Sequence, residues 1–143
     1  MSSRKQDVEP GRLDHVGVAV HSLEDALAPY KDGLGLIVSE IEEVPTENVR
    51  VAFLPLGETR LELLEPTSDD SPIARFLRRR GEGIHHLCFQ VDDIEAVLRR
   101  LKKAGVELVD EKPRAGAGGS RVAFIHPRGM AGVLVELVEK ERV

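Results

Sequence analysis

The chain of 143 residues has one cysteine, Cys88, no tryptophan, and only 3% aromatic residues. A single cysteine excludes an internal disulfide framework and fits a reducing compartment. So few aromatics argue against a surface for stacking bases or sugars, and they leave the core to Val, Leu, Ile and Ala. No apolar run approaches the roughly 18 residues that would signal a membrane span. The segment from Met1 to Pro10 is polar and lacks an apolar stretch suited to secretion, so a cytoplasmic setting is expected. A net charge of -5 argues against nucleic acid as the main partner. Asn and Gln are scarce while charges are plentiful, a balance associated with thermostable proteins. What remains is 41% hydrophobic and 31% charged, the balance of an ordinary globular chain. Chains of this size bury roughly 68–70% of the surface exposed on unfolding, enough for a core without covalent staples.

The chain also repeats itself. His15-Val-Gly-Val-Ala-Val followed by His21-Ser-Leu-Glu-Asp-Ala-Leu27 resembles His86-Leu-Cys-Phe-Gln-Val followed by Asp92-Asp-Ile-Glu-Ala-Val-Leu98, an offset of 86 − 15 = 71. Arg50-Val-Ala-Phe53 recurs as Arg121-Val-Ala-Phe124 at the same offset. Leu61-Glu-Leu-Leu-Glu65 matches Val135-Glu-Leu-Val-Glu139 at 136 − 62 = 74, so the second copy has gained three residues in a turn.

Each copy reads as strand, helix, then three strands. In the first, strands are expected over 15–20, 36–43, 49–54 and 60–65, with a helix over 23–34 ending at Gly33 and Gly35. In the second, strands are expected over 86–91, 106–109, 121–126 and 133–138, with a helix over 94–104 stopping at Gly105. Ser71-Pro72 opens a connecting helix that runs to Arg80. The predicted organisation is a flexible segment 1–10 and one α+β domain, 11–143. That domain comprises module 12–66, linker helix 71–80 and module 83–139.

Strand alternation gives the repeat chemical meaning. His15 shares a face with Gly17 and Ala19, opposite Val16, Val18 and Val20, which suit helix packing. His86 likewise shares a face with Cys88 and Gln90, and His85 should point the other way. Glu62 and Glu136 are carboxylates set into otherwise apolar strands at equivalent places. Burying an unpaired carboxylate is costly, and a divalent cation would resolve both together with the two histidines. Two His and two carboxylates suit Co²⁺, Mn²⁺, Ni²⁺ or Zn²⁺.

These residues carry a family resemblance. The chain resembles the vicinal oxygen chelate (glyoxalase-like) superfamily and, within it, the methylmalonyl-CoA epimerase family. The matching segments include Leu13-Asp-His-Val-Gly-Val-Ala-Val20, Glu62-Leu-Leu-Glu-Pro66, Ser71-Pro-Ile-Ala-Arg-Phe-Leu77, Gly83-Ile-His-His-Leu-Cys-Phe89 and Gly118-Gly-Ser-Arg-Val-Ala-Phe-Ile-His-Pro127. The resemblance implies paired βαβββ modules in a cupped eight-stranded mixed sheet with helices on its outer face. It implies metal ligands at His15, Glu62, His86 and Glu136, cobalt foremost, a CoA thioester substrate and a homodimer. It implies inversion of the carbon beside the thioester by proton removal on one face and return on the other, Glu136 serving as ligand and acid/base.

One feature departs from the family. The opposite acid/base is expected in a Pro-Glu-X-X-Val loop, where this chain has Pro45-Thr-Glu-Asn-Val49. Thr46 cannot act as a carboxylate, so Glu47 is the candidate, with Glu43 in reserve. His126 matches a family motif as a structural or substrate-orienting residue, and His21 is expected to flank the first helix. The run 116–119 lacks the strand–helix setting of a dinucleotide site and reads as a mobile loop. Arg78, Arg79 and Arg80 read as a solvated helix end, as do Arg99, Arg100, Lys102 and Lys103. Rival readings are a glyoxalase-type lyase or isomerase and a non-catalytic small-molecule binding protein. An extradiol dioxygenase fits less well, because a fourth protein ligand crowds a facial triad.

Overall fold

A computed structural model describes residues 11–141; the expected flexible segment 1–10 lies outside the described residues. Two compact units are present, one formed by His15–His85, the other by residues 11–14 with 86–141. The predicted α+β class is borne out: the described residues form eight strands, with mixed parallel and antiparallel pairing, and three α-helices.

The strands are β1 (Arg12–Ala19), β2 (Glu40–Val44), β3 (Val49–Leu56), β4 (Thr59–Pro66), β5 (Gly83–Gln90), β6 (Arg114–Ala115), β7 (Arg121–Ile125) and β8 (Leu134–Glu139). The helices are α1 (Leu23–Ala28), α2 (Pro72–Arg80) and α3 (Ile94–Lys103). The first unit orders its strands β2-β3-β4-β1, and the second β5-β8-β7-β6. In each, the opening strand pairs parallel with the closing one: β1 with β4, β5 with β8. The pairs β2–β3, β3–β4, β6–β7 and β7–β8 are antiparallel hairpins.

The repeat is reproduced down to single contacts. Ser22 caps α1 by accepting from the Asp25 amide, and Asp93, 71 residues on, caps α3 by accepting from that of Ala96. The first helical residues, Leu23 and Ile94, are both buried. Arg50 pairs across the β3–β4 ladder with Glu65 at 2.9 Å and approaches Glu24 of α1 at 3.8 Å. Arg121 does the same with Glu139 at 3.2 Å and Glu95 of α3 at 2.8 Å. An arginine thus ties a helix's first turn to a hairpin in both units.

Alternation decides which sheet face each helix covers. Leu23 of α1 is buried with Val20, Ala52, Leu54 and Leu63. Ile94 and Leu98 of α3 are buried with Val91, Ala123, Ile125, Val135 and Leu137. Both cores lie opposite the face that carries the histidines. Helix α2, capped by the buried Ser71, instead packs Ile73 and Leu77 against Ala19, Val49, Val51 and Leu64, on the same face as His15 and Glu62.

Several predicted boundaries move. The first helix stops at Ala28, because Pro29 opens a wider turn in which the Leu34 amide donates to the Pro29 carbonyl at 3.0 Å. The strand expected over 36–43 begins only at Glu40. The strand expected over 106–109 reduces to one bridge, Leu108 with Ile125, and the ladder partner of β7 is the two-residue β6. The run 116–119 forms the turn between β6 and β7, with the Gly116 amide donating to the Ser120 carbonyl at 2.9 Å.

Candidate functional site

In the first unit, β1 and β4 run in register with His15 opposite Arg60 and Gly17 opposite Glu62. That register places His15 and Glu62 on one face, both buried. His15 Nδ1 lies 3.5 Å from Glu62 Oε2. The residue opposite Glu62 is a glycine, Gly17. Glu62 Oε2 also accepts from Arg60 at 2.7 Å, and the Arg60 guanidinium stands over the Phe53 ring, 5.6 Å from its centroid. Arg60 Nη2 is 3.4 Å from His15 Nδ1.

The second unit repeats the arrangement. Strands β5 and β8 set Cys88 opposite Glu136 and His86 opposite Leu134. His86 is buried, Glu136 is half-buried, and His86 Nε2 lies 3.5 Å from Glu136 Oε1. Cys88 stands where Gly17 stands in the first unit, again a small residue beside the carboxylate. Phe124 pairs with Glu136 as Phe53 pairs with Glu62. Arg114 covers Phe124 at 5.6 Å but reaches it from β6.

The donors are imidazole nitrogens and carboxylate oxygens, the set that borderline to hard divalent cations accept. Separations of 3.5 Å match adjacent ligands on one ion, since bonds of about 2.1 Å in tetrahedral array put ligand atoms roughly 3.4 Å apart. Each pair therefore fits a divalent metal as a chelating edge.

Glu47 ends the 3-10 turn Pro45–Glu47 and is exposed, as is Thr46. Asn48 follows in the left-handed region, φ 53, which gives the β2–β3 connection its sharp reversal. Glu43 sits opposite Arg50 in the ladder, on the face of the Arg50–Glu65 pair and away from Glu62. The strand carboxylates on the His15–Glu62 face are Glu40, opposite Phe53, and Glu42, opposite Val51. A hydrogen bond with Glu40 and its charge raise the Glu42 carboxyl above its ordinary value, with smaller contributions from burial and the charge of Glu62.

His126 caps the turn Pro127–Gly129, its Nδ1 accepting from the Arg128 amide at 2.9 Å, and its Nε2 lies 4.0 Å from Glu107. His21 uses its backbone amide to reach Glu82 at 2.9 Å, while Ser22 provides the helix cap. His85 packs edge-on against Phe76, ring centroids 5.0 Å apart. Arg75 and Arg78 turn back onto the Asp70 and Asp69 carbonyls at the start of α2. The residue that sequence reasoning missed is Arg60. Its signal was available, for it stands two positions before Glu62 on an alternating strand and so must share its face.

Residues 14–124 match the Glyoxalase/Bleomycin resistance protein/Dioxygenase superfamily. The chain belongs to this superfamily. Within it, the chain is 48% identical over 128 residues to human mitochondrial methylmalonyl-CoA epimerase, covering 89% of this chain and 73% of that protein. It is 45% identical over 129 residues to the ethylmalonyl-CoA/methylmalonyl-CoA epimerase of Cereibacter sphaeroides, covering 89% and 96%. A variant of the Streptomyces coelicolor methylmalonyl-CoA epimerase solved with 2-nitronate-propionyl-CoA superposes with a TM-score of 0.83 at 37% identity, covering 93% of this chain and 96% of that one. The resemblance to the epimerases is thus borne out over nearly the whole described length of this superfamily member. No described helix is long and apolar enough to cross a membrane.

Proposed function

We propose that the chain is a metal-dependent methylmalonyl-CoA epimerase in which His15, Glu62, His86 and Glu136 hold one divalent cation. The observation that supports this most is the recurrence of a His–Glu pair at repeat-equivalent positions, 3.5 Å apart in each unit, in a chain so similar to named epimerases.

A bound cation supplies Lewis-acid stabilisation of the charge that develops on the thioester oxygen. The side chains supply the rest. Glu136 takes the proton from C2 of the substrate on one face, and Glu47 returns a proton on the other; reversal of the two roles inverts the opposite epimer. General acid–base catalysis contributes typically about 10²–10⁴-fold, which is why both carboxylates need the cation's help with so weak a carbon acid. Glu47 is exposed on the turn Pro45–Glu47, so this role requires the turn to shift towards the substrate. Cobalt as the metal, a homodimer, a cytoplasmic setting and a place in propionate metabolism complete the reading, each resting on the family resemblance or on residue usage.

The decisive experiment incubates Co²⁺-loaded protein with one methylmalonyl-CoA epimer in D₂O. Loss of the C2 proton signal with appearance of the other epimer is expected by NMR. Absence of both washout and inversion rejects the reading.

A further inference from the structure

The two units differ at one point of the repeat. Opposite His86 in the β5–β8 register stands Leu134, whereas opposite His15 in the β1–β4 register stands Arg60. This arginine directs its guanidinium to the donor atoms themselves. Nε and Nη2 both meet Glu62 Oε2, each at 2.7 Å, and Nη2 lies 3.4 Å from His15 Nδ1. Those two atoms, Oε2 and Nδ1, form the edge to which a cation would bind in the first unit.

We propose that Arg60 is a tethered cation that occupies the metal-binding edge of the His15–Glu62 pair and is exchanged for the divalent ion on loading. The proposal rests on the metal reading above. A guanidinium stays charged at all relevant pH, so it cannot relieve crowding with a divalent ion by losing a proton. The ion and the guanidinium therefore compete for Oε2. Arg60 has a way out, because its side chain is 31% exposed while those of His15 and Glu62 are 8% and 10% exposed. Its stacking on Phe53 offers a resting place that does not require Glu62. In the metal-free protein the same arginine neutralises a carboxylate that would otherwise be buried beside an apolar core.

The test is Co²⁺ affinity by titration calorimetry on metal-free full-length protein, for wild type, Arg60→Met, Arg60→Lys and Glu62→Gln. Arg60→Met should bind Co²⁺ more tightly by about 10–100-fold, the scale of one charge-assisted hydrogen bond no longer broken on loading. Arg60→Lys, which keeps the charge, should stay near wild type, and Glu62→Gln should weaken binding. The Arg60→Met protein should also show a lower metal-free melting temperature and a larger Co²⁺-induced rise. As an independent readout, the Arg60 Nε–H resonance in ¹⁵N NMR should move on addition of diamagnetic Zn²⁺. Unchanged or weaker Co²⁺ binding by folded Arg60→Met overturns the exchange, weaker binding meaning that Arg60 steadies Glu62 from outside the metal's ligand shell. Absence of Co²⁺ binding in every variant overturns the metal reading and the exchange with it.

Discussion

Glu62 Oε2 lies 3.5 Å from His15 Nδ1, the separation that also relates Glu136 Oε1 to His86 Nε2 in the other unit. The proposed ligand set takes one such pair from each set of repeat-equivalent strands, so each histidine is tested on its own. His15→Ala and His86→Ala should each lower the Co²⁺ retained after dialysis, measured by elemental analysis, to well below one ion per chain. Wild type should gain thermal stability with Co²⁺, about 2.7 kcal/mol at a hundred times the dissociation constant, and EDTA should reverse it. Full retention of metal in either variant would remove that histidine from the ligand set.

The three carboxylates considered for proton transfer differ in their placement. Glu136→Gln should abolish epimerisation and proton exchange alike, since Glu136 is both a proposed ligand and one acid/base. Glu47→Gln should lower kcat by about 10²–10⁴-fold while leaving Co²⁺ binding intact, because its proposed role is proton transfer alone. Glu43→Gln should leave kcat near wild type, for Glu43 lies on the face of Arg50 and Glu65. A full-rate Glu47→Gln enzyme would move the second role to another group.

How far this was legible in the sequence depends on what each feature needed. The repeat, at offsets of 71 for the histidines and 74 for the glutamates, and strict alternation sufficed to put His15, Glu62, His86 and Glu136 on one kind of face, because a strand's side-chain period is fixed by its backbone. Arg60 obeyed the same rule but was overshadowed, since alternation gives a face and not a partner. The short β6 was hidden because two residues carry no period, and the strand expected over 106–109 was apolar for another reason: Val106 and Leu108 pack into the α3 core. The first helix seemed longer because Tyr30 and Leu34 continue its spacing, while Pro29 lacks the amide that an α-helical bond would need.

The clamp between α3 and the last hairpin is unequal in its parts. Glu139 Oε1 accepts from the Ile94 amide at 2.9 Å as well as from Arg121, so it satisfies an otherwise unpaired donor in the first turn of α3. Glu139→Ala should therefore cost about 1–2 kcal/mol in urea unfolding, the scale of a lost cap. Arg121→Ala should cost less, because it removes only solvent-screened ion pairs. The reverse order would show that the ion pairs dominate the clamp.

Gly11 enters β1 at φ +79, and a β-carbon there would overlap the Gln90 carbonyl. Both the backbone and the neighbour thus require glycine. Gly11→Ala should destabilise by about 2 kcal/mol or more. Gly57 also has a positive φ, +64, but a β-carbon there meets nothing within 4 Å. Gly57→Asn should cost less than about 1 kcal/mol, as Asn tolerates the left-handed region. Equal losses at the two positions would show that φ alone, and not the approach of Gln90, sets the requirement.

The edge-strand acids predict a pH signature. Glu42 has a raised carboxyl pKa in the folded state, caused first by its hydrogen bond with Glu40, then by the charge of Glu40, burial and the charge of Glu62. The folded protein therefore holds that proton more tightly than the unfolded chain, whose Glu42 titrates near 4.5. The resulting stabilisation is present below that value and is lost as pH rises through the folded-state pKa, above which the ionised group opposes folding. Glu42→Gln should accordingly raise the urea midpoint of metal-free protein at about pH 7, and the gain should vanish towards about pH 4. Glu40→Gln should reproduce the pattern by removing the main cause. A gain of equal size at both pH values would assign the effect to packing on β2 instead of to the crowding of Glu40, Glu42 and Glu62 on one sheet face.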